Sequence, residues 1–121
     1  MRKLVVVIAV LAVLAPAAAL AGGWATVQLS STPTGARAGV PWVVDLTVLQ
    51  HGRTPLAGIR PEVRISQGAA NRSFFAKPTA KVGVYRARVV FPRAGTWSWV
   101  IWDGFSRTHT YKQVKVTRAV T

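Results

Sequence analysis

Cysteine is missing from this chain altogether, and acids nearly so. With no cysteine in 121 residues, no disulfide braces the fold and no thiolate is available to hold a metal or attack a carbonyl. Met1 is the only methionine, so the body of the chain offers no thioether ligand either. The acids number three, Asp45, Glu62 and Asp103. A carboxylate pair of the glycosidase kind would have to come from those three alone. Beyond residue 21 there is also no run with a helical apolar period, which excludes a helix bundle.

What is present begins with an export signal. Arg2 and Lys3 precede an unbroken apolar run over residues 4–14, Pro16 interrupts it, and Ala19-Leu20-Ala21 supplies small residues where a signal peptidase reads. Residues 1–21 are therefore expected to be a signal peptide cleaved after Ala21. The alternative is a retained anchor, since residues 4–21 approach the roughly 17–25 residues that cross a bilayer. No cysteine follows the apolar run, so a lipid-anchored lipoprotein is excluded. The chain is expected outside the cytoplasm, whether secreted, periplasmic or held at the envelope. Residues 22–121 are enough for one domain and one core.

Sixteen Lys and Arg give a formal net charge of +13. Outside the cytoplasm the available anions are lipid headgroups and envelope polymers, so nucleic acid is not the expected partner. The partner is expected to be an unidentified protein or an anionic envelope component.

Strand signals recur at short intervals with turn residues between them. Ala25, Val27 and Leu29 alternate with polar neighbours. Trp42, Val44, Leu46 and Val48 share a face opposite Asp45 and Thr47. Ile59, Pro61, Val63 and Ile65 oppose Arg60, Glu62 and Arg64, and Pro61 predicts an edge strand or one that begins late. Residues 67–73 are polar and predict a loop, with a short strand over residues 74–77. Tyr85, Ala87, Val89 and Phe91 form the next apolar face, and Trp97, Trp99 and Ile101 the one after. Asp103-Gly104 is a two-residue hairpin signal. A last strand over residues 108–116 changes parity between Tyr111 and Val114, which predicts a bulge near Lys112-Gln113. About seven strands in a hundred residues predict an all-β, immunoglobulin-like two-sheet sandwich.

Gly83-Val84-Tyr85, the alternating strand after it, and Phe91-Pro92-Arg93-Ala94-Gly95-Thr96-Trp97 resemble the C-terminal half of YtkA-like and FixH-like extracytoplasmic domains. The similarity extends over residues 40–116, with residues 83–97 the distinctive part. The resemblance implies an immunoglobulin-like fold outside the cytoplasmic membrane, usually without catalysis. For some relatives it implies copper handling or cytochrome oxidase assembly. No metal ligand of the family carries over to a residue of this chain.

Chemistry has few candidates. His51, in a turn, and His109, near the start of the last strand, are the only histidines, and a metal site normally needs three or four ligands. No Gly-x-Ser-x-Gly elbow fixes a nucleophile beside a base. Glu62 is accounted for by Arg60 and Arg64, and Asp103 by its turn. Trp97 and Trp99 belong to the core face, and Tyr85 suits a tyrosine corner. Asn71-Arg72-Ser73 matches a glycosylation acceptor to which no function attaches. Arg60, Arg64, Arg86 and Arg88 would form an anion-binding stripe if their strands face one side. Within residues 83–102, Arg86, Arg88 and the exposed-parity Trp102 are the side chains that a scaffold role does not absorb. The expected function is a non-enzymatic accessory or binding domain with no cofactor. The alternatives are a copper-handling or oxidase-assembly chaperone and a basic binder of anionic polymers or lipid surfaces.

Overall fold

A computed structural model describes residues 23–119, so the expected signal segment lies outside the described residues. The described chain is all β: two antiparallel sheets pack face to face as a sandwich. The strands are β1 (Ala25–Leu29), β2 (Trp42–Gln50), β3 (Thr54–Pro55), β4 (Glu62–Gln67), β5 (Ala70–Phe75), β6 (Lys77–Pro78), β7 (Val84–Val89), β8 (Gly95–Trp102), β9 (Thr108–Thr110) and β10 (Val114–Val116). The first sheet has the order β1-β2-β7-β6, with β3 also on β2. The second has the order β10-β8-β4-β5, with β9 also on β8.

The two-residue period decides which side chains meet. Trp42, Val44, Leu46 and Val48 from β2 and Tyr85, Ala87 and Val89 from β7 point inward from the first sheet. Val63, Ile65, Trp97, Trp99, Ile101 and Val116 answer from the second. Burying each aliphatic side chain contributes about 1.5–3 kcal/mol. The aromatic rings lock edge to face: Trp42 on Trp99 at 5.4 Å and 83°, Phe91 on Trp97 at 5.8 Å and 67°. Each core indole N–H also finds an acceptor. Trp42 donates to the Ser31 hydroxyl, Trp97 to the Arg93 carbonyl and Trp99 to the Lys112 carbonyl, each at 2.9 Å.

Two local expectations change and a third is narrowed. Of the two alternatives at Pro61 the late start holds: β4 begins at Glu62 and is a central strand between β5 and β8, not an edge. Residues 67–73 are not a loop: a tight turn at Gly68 leads into β5, an edge strand needing little apolar content because one side faces water. Residues 103–107 make a longer turn than the two-residue hairpin signalled by Asp103-Gly104, with Trp102 opposite Thr108 and the Asp103 N–H donating to the Arg107 carbonyl. β7 and β8 belong to different sheets, so residues 90–94 arch across the core.

The bulge appears where the parity change places it. Val100 faces Thr110, but Trp97 faces Val114, so Lys112 and Gln113 together oppose Ser98. The extra residue lets Tyr111 and Val114 both turn inward, and Tyr111 stacks on Trp99 at 4.2 Å and 6°.

Candidate functional site

All three acids are committed to local partners. On the outer face of the first sheet, Asp45 and Arg86 are cross-strand neighbours, and the guanidinium grips the carboxylate at 2.8 and 3.2 Å. Hydrogen bonding to Arg86 holds the Asp45 pKa below its ordinary value of 3.8, against a small desolvation cost. On the outer face of the second sheet, Glu62 is paired with Arg64 and flanked across the strands by Trp102 and Phe75. The remaining cations of the described residues have no carboxylate left to meet.

Asp103 is fully buried at the end of β8. Its carboxylate accepts from the N–H groups of Phe105, Ser106 and Arg107, from the Ser106 hydroxyl at 2.8 Å, and from His109 Nε2 at 2.9 Å. Burial alone would raise its pKa; the bonds from Ser106, His109 and Phe105 outweigh burial and lower it. The ionised carboxylate can only accept, so Nε2 carries the proton and Nδ1 holds the lone pair in the neutral ring. A nucleophile relay needs the imidazole between hydroxyl and carboxylate. Here Asp103 lies between Ser106 and His109, so the histidine has no hold on the hydroxyl proton.

His109 also lines a groove of about 600 Å³ between the edges of the two sheets, with Trp24, Ala25, Val27, Arg107 and Tyr111. His51 occupies the turn after β2 at a φ of 52° and lies against Trp24, ring centroids 4.8 Å apart. Among the described residues no group of three or more His, Cys, Asp or Glu side chains comes together. The donor set around His109 therefore does not fit a copper or zinc ion: Asp103 is spent on its loop and no third ligand is at hand.

The four arginines do not form one stripe. Arg86 and Arg88 project from β7 on the first sheet, whereas Arg64 projects from β4 on the second, on the opposite face of the sandwich. Trp102 is half-buried on that second face beside Glu62, so it does not join Arg86 and Arg88. The paired period within residues 83–102 conceals this, because the arch sends its two halves to different sheets.

The structure assembles another group instead. Where the chain passes from β5 to β6 it changes sheets, and a cleft of about 620 Å³ opens, lined by Phe74, Phe75, Lys77, Pro78, Arg86 and Arg88 among others. Phe75 is half exposed, and the Arg60 guanidinium sits over its ring, 4.1 Å from the centroid. Arg60 thus meets Phe75, one of the residues that line the cleft. Phe75 and Lys77 were not singled out in the sequence. The signal was there: Phe74 and Phe75 are adjacent, so one of them must leave the core face.

Tyr85, Trp97 and Trp99 are buried in the core. The Tyr85 hydroxyl donates to the Leu56 carbonyl at 2.6 Å and receives a long bond from the Ile59 N–H. It ties β7 to the loop that carries the chain from the first sheet to the second. In comparisons with known proteins, no family model matches this chain and no curated protein matches it.

Proposed function

We propose that this chain is an exported, non-enzymatic sandwich domain that binds anionic surfaces of the cell envelope, in keeping with its resemblance to YtkA-like domains. One observation carries the reading: every acid is consumed in a local pair, so the surplus cations face solvent uncompensated. In many basic proteins interspersed acids neutralise the surface; here Lys77, Lys81, Arg88, Arg107, Lys112 and Lys115 are all exposed with no carboxylate to answer them. Such a surface attracts polyanions through long-range Coulomb forces that salt weakens. The buried order of Ser106, Asp103 and His109 supports a structural role for the groups that would otherwise suggest catalysis. Copper handling is the less favoured alternative, because among the described residues no three such donors come together around either histidine.

The test is binding of residues 22–121, which contain every described strand and core residue, to a soluble polyphosphate and to anionic vesicles. Binding to either one at about 0.05 M salt that is lost near 0.5 M is expected. Equal retention at both concentrations, or no retention at either, contradicts the proposal.

A further inference from the structure

We propose that the side of the sandwich where β5 hands over to β6 docks on an anionic lipid bilayer. This rests on the reading that the domain engages anionic surfaces, and it names the surface. Arg88 projects from the outer face of β7 and has no carboxylate partner, whereas its neighbour Arg86 is neutralised by Asp45. Lys77, the cross-strand partner of Arg86 on β6, is likewise unpaired and lines the same cleft. Arg60 adds a third cation over Phe75. Lys81 extends the positive charge along the turn that joins β6 to β7.

Exposed apolar side chains are interleaved with these cations. Val43, directly across the ladder from Arg88, is 50 % exposed; Phe75, on the cleft side, is 50 % exposed; Val82, next to Lys81, is 61 % exposed. This interleaving distinguishes a bilayer from a polymer. A hydrated polyanion would satisfy the cations and leave Phe75, Val43 and Val82 in water. A bilayer interface takes both at once: phosphate headgroups accept from guanidinium and ammonium groups, and the apolar tips enter the headgroup–acyl boundary. Arg60 stacked on Phe75 suits that boundary, since its charge stays at headgroup level while the ring edge goes deeper. A basic residue at such a surface strengthens binding by about fivefold.

The experiment uses residues 22–121 with neutral vesicles, vesicles with about one anionic lipid in four, and soluble polyphosphate, at near-physiological salt. Near-ultraviolet dichroism of each variant checks that the packed tryptophans are intact. The wild type should bind the anionic vesicles and not the neutral ones. Arg88→Glu combined with Lys77→Glu should weaken vesicle binding by about 25-fold or more. Phe75→Ser should weaken vesicle binding about tenfold while leaving polyphosphate binding unchanged. If that variant loses its near-ultraviolet signal, Val43→Ser is read in its place. Lys115→Glu, on the outer face of the other sheet, should change vesicle binding by less than about twofold, because charges beyond a Debye length of roughly 8 Å are screened. The inference is overturned if Lys115→Glu is as damaging as Arg88→Glu, or if Phe75→Ser leaves vesicle binding unchanged. Binding to polyphosphate without vesicles overturns the bilayer and keeps the broader reading; binding to neither overturns both.

Discussion

Asp103 illustrates at the residue scale how a buried charge becomes structural. A carboxylate with no exposure is tolerable only when its oxygens are saturated, and residues 105–107 and His109 saturate them. Asp103→Ala would orphan several N–H groups at once, with an expected loss of about 3 kcal/mol in urea unfolding at neutral pH. The folded pKa of Asp103 is lowered, so its contribution is complete above the ordinary 3.8 and disappears as pH falls through the lower folded value. Asp45 shifts the same way. Unfolding midpoints should therefore be flat from neutrality to about pH 4 and fall below it, and Asp103→Asn should flatten that acid limb. Tyr85 allows a milder test. Tyr85→Phe keeps the ring and removes the bond to the Leu56 carbonyl, for an expected loss of about 1–2 kcal/mol. No change on that substitution would make the hydroxyl incidental. The type of residue was legible at both positions, a turn Asp and a corner Tyr. Their partners were not, because Leu56 lies 29 positions from Tyr85 and only the folded topology brings it near.

At the scale of elements, alternation identified the strands whose faces differ in polarity and missed β5, whose faces do not. β2 and β7 announce themselves through Trp42, Val44, Leu46 and Tyr85, Ala87, Val89. β5 carries Asn71, Arg72 and Ser73 in succession, and only pairing with β4 makes it a strand. Sheet membership was equally hidden, which is why the arginine stripe failed and the cleft at Phe75 was not foreseen. The bulge was legible, because Tyr111 and Val114 cannot share a face in an unbroken strand. That gives a prediction by deletion. Removing Gln113 leaves Tyr111, Val114 and Val116 in plain alternation, removes the exposed Gln113–Ser98 bond and disturbs the Trp99–Lys112 bond, at about 1 kcal/mol. Removing Lys115 turns Val116 out of the core and should cost at least about 1 kcal/mol more. Equal losses in denaturant unfolding would mean that the register is not set by the bulge. Gly83, at a φ of 84°, marks the entry to β7: a Cβ there would lie 2.6 Å from the Pro55 Cβ. Gly83→Ala therefore combines backbone strain with a clash, and a lowered unfolding temperature is expected.

For the whole molecule, the core makes the sandwich and the charge gives it something to do. A domain with formal net charge +13 on the full chain repels itself. Adding salt should thus raise its unfolding temperature even as it weakens binding, a divergence that a neutral surface would not show. The central claim is that the surplus cations form a binding face rather than a merely solvated one. Co-sedimentation of residues 22–121 with anionic vesicles, comparing Arg88→Glu with Lys115→Glu at near-physiological salt, tests it most directly. The two substitutions change net charge equally. Arg88→Glu should weaken binding at least about fivefold more than Lys115→Glu. Equal effects from both would contradict it.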